Sequence, residues 1–206
     1  MKVLLINGSP HEKGCTYTAL SLIAKELNDA GVETEILHVG GKPVGGCIGC
    51  GGCRSGNGCV FGGVVNEAIE KAKTADGFVF GSPVHYASAS GNMTSFMDRL
   101  SYAGGKYLAY KPAAICCSAR RAGTTSALDQ LVKYPEFFHM PLVSGSYWPM
   151  VHGSNPEQVL QDAEGCAVMQ ELGRNMAWLL RCIEAGKAAG IQHPENPRRP
   201  MTNFIR

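Results

Sequence analysis

Four of the nine cysteines lie close together in a glycine-rich segment, and their spacing is the most specific chemical signal in the sequence. Cys47, Cys50 and Cys53 are each separated by two residues, and Cys59 follows after five more. Three thiolates at positions i, i+3 and i+6 can surround one face of an iron–sulfur cubane, with the fourth close by. The intervening glycines let the backbone bend around so bulky a centre.

Two other interpretations of these four cysteines stay open. Four thiolates also bind zinc, although structural zinc usually draws its ligands from two separated pairs. The third interpretation is a metal-free, redox-active thiol loop. The remaining cysteines are scattered, as expected of small buried side chains, and they are Cys15, Cys116, Cys117, Cys166 and Cys182.

The charge distribution argues against nucleic acid and membranes as partners. The 206 residues carry 19 Lys and Arg against 17 Asp and Glu, a formal net charge of +2. Arg198, Arg199 and Arg206 against Glu195 place that excess at the C-terminus, so the body of the chain is neutral. No apolar run approaches the roughly twenty residues of a membrane helix, and the N-terminal apolar segment is too short for a signal peptide. We expect a cytoplasmic protein.

Strands and helices are predicted to alternate along the chain. Continuous apolar runs predict strands at residues 2–7, 33–39, 77–81, 111–117 and 142–146. Apolar residues at helical spacing predict helices at 16–30, 64–74, 90–102, 122–133 and 156–188. This alternation is typical of an α/β fold, a three-layer α/β/α arrangement around a five-stranded parallel sheet. The strand order 2-1-3-4-5 of flavodoxin-like folds fits this pattern.

We expect one domain over residues 1–190, because the length suits one full-sized core and is short for two. The cysteines fall in an insertion at residues 44–62, called here the cysteine loop. Residues 191–206 are predicted to form an extended tail that packs on the body or on a neighbouring subunit.

In a sheet of this order, ligands bind beyond the carboxyl ends of the strands, where the strand order reverses. The first loop there, residues 8–14, opens directly into a helix, so backbone N–H groups and the positive helix end can converge on an anion. Ser9, Thr16 and Thr18 would add hydroxyl groups. The loop has neither a Walker sequence nor a dinucleotide fingerprint, and an ordinary turn with a threonine cap is the alternative.

The second and third loops of this edge follow the third and fourth predicted strands. The second, residues 81–91, has an aromatic residue and a histidine among small residues, which suits a wall for a planar ring. The third, residues 117–125, can offer backbone donors and the paired Arg120 and Arg121 to the polar rim of such a ring. A later segment, residues 147–153, either closes over the site or belongs to the core.

Taken together, these motifs resemble the NADPH-dependent FMN reductase-like branch of the flavodoxin superfamily over roughly residues 1–150. The resemblance rests on Gly8-Ser9-Pro10 with Gly14-Cys15-Thr16, on Ser82-Pro83-Val84-His85-Tyr86, and on Phe96-Met97-Asp98-Arg99. It implies bound FMN, with the phosphate held by Ser9, His11, Cys15, Thr16 and Thr18. It implies further contacts to the ring and the ribityl chain from Ser82, Pro83, Val84, His85, Tyr86, Ser118, Ala119, Arg120, Arg121 and Gly123. Cys15 and His11 depart from the asparagine and arginine common in the family.

The cysteine motif resembles that of the iron–sulfur flavoproteins, a subgroup of the same family, which implies a [4Fe–4S] cluster bound by Cys47, Cys50, Cys53 and Cys59. The expected activity is an FMN-dependent oxidoreductase that takes electrons from NADPH or NADH and passes them to a small-molecule or protein acceptor. A homodimer or homotetramer is expected. No protein acid or base is expected to act, because hydride goes directly to the flavin. The alternatives are a flavin electron carrier, disfavoured by the neutral body, and a thiol or zinc redox sensor.

Overall fold

The structure is a computed structural model that describes residues 1–195 and 201–204. Its strands are Lys2–Asn7 (β1), Glu33–His38 (β2), Gly77–His85 (β3), Ser88–Ala89 (β4), Ala113–Ala119 (β5) and Met150–His152 (β6). Its helices are Cys15–Asp29 (α1), Val64–Thr74 (α2), Gly91–Gly104 (α3), Thr124–Phe137 (α4), Pro156–Val159 (α5) and Ala163–Ala188 (α6). None of the helices within the described ranges combines the length and apolar character needed to cross a membrane.

The central sheet has the order β2-β1-β3-β5-β6, and all of these neighbours are parallel. Counted without β4, which forms a hairpin with β3, this is the predicted five-stranded order 2-1-3-4-5. The predicted flavodoxin-like fold is therefore confirmed. The carboxyl ends of β1, β3 and β5 lie side by side in the sheet.

Alternate residues of each strand point to opposite faces of the sheet and build two separate cores. On β1, Leu4 and Ile6 face α2, α3 and α4, whereas Val3 and Leu5 face α1 and α6. Gly173 lets α6 approach α1 closely, since a Cβ there would lie 2.7 Å from the carbonyl oxygen of Ile23. The result is the predicted three-layer architecture.

The prediction of the last strand at residues 142–146 was wrong. That segment makes only an isolated bridge between Leu142 and Ala113, and β6 begins at Met150. The carboxylate of Glu171 accepts hydrogen bonds from both the backbone N–H and the hydroxyl of Ser146, each 2.7 Å long, and these bonds also lower its pKa. The chain therefore leaves the sheet edge and returns to it later, beside the end of β5.

The single helix predicted over residues 156–188 is two helices in the structure. Asp162 separates them, because its carboxylate accepts from the backbone N–H of Gly165 at 3.0 Å and caps α6. The third strand is also longer than predicted, since β3 passes through Pro83 and reaches His85 before the chain turns back into β4.

The predicted tail is described in part. The imidazole of His193 stacks on the ring of Tyr110, with centroids 4.3 Å apart, so the beginning of the tail packs on the body. Arg198, Arg199 and Arg206 lie outside the described residues.

Candidate functional site

Hydrogen bonds join the three loops predicted to bind a ligand. The backbone N–H of Gly8 in the first loop donates to the carbonyl of Gly81 in the second, at 2.9 Å. The hydroxyl of Ser90, at the end of the second loop, donates to the carbonyl of Gly8 at 2.8 Å. Buried Thr16 and Ser118 join the start of α1 to the third loop through a 2.8 Å bond between their hydroxyl groups. The structure thus brings together the loops that the sequence analysis assigned to one site.

Hydrogen bonds within the first loop and one contact from β2 also fix its conformation. The side-chain oxygen of Asn7 accepts from the N–H of Ser9 at 3.1 Å, and its amide donates to the carbonyl of Glu12 at 2.9 Å. Ser9 is 4% exposed, and its hydroxyl accepts from the N–H of His11 at 3.1 Å. From β2, Nε2 of His38 lies 2.7 Å from the carbonyl oxygen of Ser9. Sequence reasoning missed Asn7 and His38, because their contacts depend on the folded loop.

Helix α1 begins at this loop without a side-chain cap. Its N-cap residue is Gly14, whereas α3, α5 and α6 are capped by the side chains of Ser90, Asn155 and Asp162. The first N–H groups of an α-helix have no acceptor within the helix. At α1 these donors are available to an anion in the loop, and the positive end of the helix dipole favours one there.

The side chains at and before the first turn of α1 differ in their partners and their exposure. The thiol of Cys15 donates to the carbonyl of Gly153 at 3.5 Å, and burial raises its pKa. The hydroxyl of Thr18 donates to the carbonyl of Gly14 at 3.2 Å. The side chain of His11 is exposed at the rim of the loop. Cys15 therefore remains a neutral thiol at neutral pH and adds no negative charge at this helix end.

The second loop is a β-hairpin whose tip is exposed. Ser82 is buried, and its hydroxyl accepts from the N–H of Ser90 at 3.0 Å. Pro83 and Val84 are half-buried, and His85 is exposed. The ring of Tyr86 is fully exposed at the two-residue turn of the hairpin.

The third loop packs against this hairpin. Ser118 and Ala119 are buried at the end of β5, while Arg120 and Arg121 are exposed. Gly123 has a φ of +91°, and a Cβ there would lie 2.6 Å from the Cα of Ala87. It is also the uncapped start of α4, so a second free helix end faces the same edge.

These features fit FMN. The first loop supplies a hydroxyl, backbone N–H groups and an uncapped helix end for the phosphate. The hairpin and the third loop border the same edge with apolar and backbone groups suited to a flavin ring. Of the predicted FMN contacts, Ser9 and Thr16 lie at the base of this site, whereas His11, His85, Tyr86, Arg120 and Arg121 lie at its exposed rim.

The cysteine loop forms a second site, which lies against α3. Its cysteines line one cavity of about 330 Å³ together with Arg54, Phe61, Arg99 and Tyr102, and they are Cys47, Cys50, Cys53 and Cys59. None of the nine cysteines, all of which lie within residues 1–195, forms a disulfide. Across residues 1–195 and 201–204, no three His, Cys, Asp or Glu side chains converge on the position of a single metal ion.

Few contacts fix the cysteine loop to the body. The side-chain amide of Asn66 pairs with the backbone of Cys59, through bonds of 2.8 and 3.0 Å. Asn92 accepts from the N–H of Val44 at 3.1 Å at the start of the loop. No sequence pattern indicated that Asn66 and Asn92 would make these contacts.

Comparison with known proteins identifies a matching family and similar curated proteins. The first 155 residues match the family model described as NADPH-dependent FMN reductase. An iron–sulfur flavoprotein of Archaeoglobus fulgidus is 30% identical over 197 residues, which cover 91% of this chain and 96% of the relative. An iron–sulfur flavoprotein of Methanocaldococcus jannaschii is 28% identical over 192 residues, which cover 89% of this chain and 100% of the relative.

Solved structures support the fold. An apo NADH:FMN oxidoreductase has a TM-score of 0.60 at 20% identity, covering 88% of this chain and 89% of its own. An archaeal flavodoxin has a TM-score of 0.60 at 14% identity, covering 88% of this chain and 99% of its own. The family match spans most of the sequence, and the chain therefore belongs to the NADPH-dependent FMN reductase family of flavodoxin-like, FMN-dependent oxidoreductases.

Proposed function

We propose that the protein binds FMN at the edge where the three loops meet and uses it to transfer electrons from NADPH or NADH. The observation that carries the proposal is the uncapped start of α1 beside the buried hydroxyl of Ser9. The N–H groups of Cys15 and Thr16 would hold the phosphate from the helix end, and the Ser9 hydroxyl would donate to it. His11 and Thr18 stay proposed contacts of the same phosphate.

The flavin ring would lie between the hairpin and the third loop. Pro83, Val84 and Tyr86 would cover one side of it, and Ser82 and His85 would contact the ring and ribityl chain. The backbone of Ser118, Ala119 and Gly123, with Arg120 and Arg121 at the rim, would face the polar pyrimidine edge and stabilise negative charge there. Bound FMN supplies hydride and single-electron chemistry, so the residues of this chain need only hold the ring and leave one face open to the reductant.

We further propose that the cysteine loop holds a [4Fe–4S] cluster. Four thiols around one cavity are the donor set of such a cluster, each binding a different iron. Zinc would require all four sulfurs about 2.3 Å from one point. Structural zinc usually takes its ligands from two separated pairs, whereas three of these cysteines lie at positions i, i+3 and i+6, and this spacing favours the cluster. Both relatives quoted above carry iron–sulfur in their names.

A homodimer or homotetramer is proposed as the active form. The large apolar side chains of Ile48, Val60, Phe61 and Tyr102 are all exposed around the cysteine cavity. Apolar patches of this kind usually mark contact surfaces. Size-exclusion chromatography with light scattering should show a multiple of 21.9 kDa, and a purely monomeric species would contradict this part of the proposal.

The test is anaerobic purification followed by absorption spectroscopy and by chemical analysis of FMN, iron and sulfide. We expect about one FMN per chain and a broad cluster absorbance with matching iron and sulfide. Stopped-flow mixing with NADPH or NADH should then bleach the flavin, and a soluble acceptor should restore its colour. Protein that takes up no FMN would contradict the proposal. Protein that binds FMN without turnover of either nucleotide would favour the electron-carrier alternative.

A further inference from the structure

Arg99 is the one charged side chain buried beside the cysteine cavity, judged over the residues that the structure describes. It projects from α3 and is 6% exposed. Its Nε donates to Sγ of Cys59 at 3.2 Å. Its terminal nitrogens donate to the carbonyls of Gly45 at 3.4 Å and Gly62 at 3.0 Å, and the guanidinium lies 5.3 Å from the ring centroid of Phe61.

Two of these partners are backbone carbonyls and one is an aromatic ring, so none of these three carries a charge. Within residues 1–195 and 201–204, no carboxylate forms an ion pair with Arg99. Its neighbour Asp98 points elsewhere and accepts from the hydroxyl of Tyr134 at 2.6 Å. A buried cation without a counter-charge is unfavourable, because hydrogen bonds to neutral acceptors only partly replace the hydration that it loses. An anion beside Arg99 would therefore stabilise its buried charge.

The cavity beside Arg99 is where that anion would lie. Among the residues that the structure describes, its lining carries Arg54, Arg99 and the four thiols but no Asp or Glu. A cluster bound by four thiolates is itself an anion and becomes more negative when it accepts an electron. Positive charge and hydrogen bonds to the sulfurs are among the factors that set its reduction potential.

We infer that Arg99 is the counter-charge of an anionic, thiolate-bound centre in the cysteine cavity, and that it raises the reduction potential of that centre through Cys59. The inference rests on the proposed iron–sulfur cluster and names the residue that tunes it. Arg99 acts through Cys59, so it is a positioning residue and not a catalytic one.

The test is an anaerobic redox titration of the cluster in the complete protein, followed by electron paramagnetic resonance. In Arg99→Gln, the ratio of reduced to oxidised cluster at a fixed potential should fall about tenfold, or ~59 mV for a one-electron couple. Arg99→Lys, which keeps the charge, should recover most of this ratio. Arg181→Gln is the matched control, because this exposed arginine on α6 donates to the carbonyl of Ala30 and its loss should leave the potential unchanged.

Loss of iron from Arg99→Gln, with FMN retained and iron recovered in Arg99→Lys, also supports the inference. An unchanged potential in Arg99→Gln, or loss of iron from both variants, overturns this role of Arg99. Neither result contradicts the proposal that the wild-type protein binds a cluster. Wild-type protein that holds no iron after reconstitution overturns the cluster and the inference together. If Arg99→Gln does not fold, Arg99→Met, which keeps the apolar length of the stem, replaces it.

Discussion

The first loop (residues 8–14) and the cysteine loop (residues 44–62) are both rich in glycine, but they are held in opposite ways. The first loop is fixed by a half-buried hydrogen bond to β2 and by buried hydrogen bonds to the second loop and within itself. The cysteine loop is mostly exposed, and a few side chains from outside hold it. A loop that offers its backbone to a ligand must be rigid before binding, whereas a loop that wraps a metal centre can gain order from that centre.

The glycines of the two regions reflect this difference. Gly40 lies against the first loop, and a Cβ there would overlap the carbonyl group of Ser9. A Cβ at Gly45 in the cysteine loop would meet no atom within 4 Å. Close packing therefore requires glycine at position 40, whereas position 45 has room for a larger side chain.

The largest expected effect is loss of the cluster from the cysteine loop alone. Cys50→Ser should remove nearly all bound iron, because serine cannot replace a thiolate ligand effectively. It should leave FMN content unchanged, since none of the hydrogen bonds described above for the first loop involves the cysteine loop. Iron, sulfide and FMN analyses measure both effects. Cys182→Ser, at an exposed thiol on α6, is the control, and loss of FMN with the iron would show that the two regions depend on each other.

Adding a methyl group at the closely packed Gly40 should weaken FMN binding without affecting the cluster. Gly40→Ala forces the Ser9 carbonyl to move, and overpacking of this kind costs about 1–3 kcal/mol. We expect FMN affinity to fall by up to about 100-fold, measured by fluorescence titration of the apo-protein. Gly45→Ala is the matched substitution in open space and should bind FMN like the wild type. Equal affinities in both variants would remove the distinction between the two loops.

The buried hydroxyl pair between the first helix and the third loop should give a smaller, measurable coupling. Ser118→Ala leaves the Thr16 hydroxyl without its partner and should lower the free energy of unfolding by about 1–3 kcal/mol. Adding Thr16→Val removes the stranded hydroxyl and should recover part of that loss. A double-mutant cycle by denaturant unfolding measures the coupling. Strict additivity would contradict the buried hydrogen bond.

An ion-pair network outside both loops provides the smallest effect. Lys2 and Lys71 contact Glu35 at 2.8 and 2.7 Å and hold the pKa of its carboxyl below the ordinary value of 4.5. A lowered pKa in the folded state stabilises the protein above pH 4.5, and this contribution is lost as the pH falls further. Glu35→Gln should therefore cost less than about 1 kcal/mol at neutral pH.

Denaturant unfolding as a function of pH checks this prediction. The difference between wild type and Glu35→Gln should shrink as the pH falls below 4.5 and disappear below the lowered pKa of Glu35, while Glu184→Gln, at an exposed ion pair, should change nothing. A difference that grows as the pH falls would show that the sign of the pKa shift is wrong.

The sequence was sufficient to predict the strand order of the sheet and to predict that the three loops lie together. Continuous apolar strands and periodic helices are local signals, and α2 was predicted with the bounds found, residues 64–74. The last strand was misplaced because the hydrogen bonds from Ser146 to Glu171 join residues far apart in the sequence. Such a contact leaves no trace in local periodicity.

The candidate site was predictable to the same extent. Ser9 and Ser118 lie where their loops predicted, because the ends of parallel strands must meet at one edge. The roles of His38 and Arg99 could not be predicted, since each depends on one contact across the fold, to the carbonyl of Ser9 or the thiol of Cys59.

The central claim is that the first loop grips the phosphate of FMN. Isothermal titration of the apo-protein with FMN and with riboflavin, which lacks only that phosphate, tests it most directly. We expect FMN to bind at least about 100-fold more tightly, a difference near 3 kcal/mol, as several backbone donors and a helix end on one anion would produce. Equal affinities for the two flavins would contradict the claim.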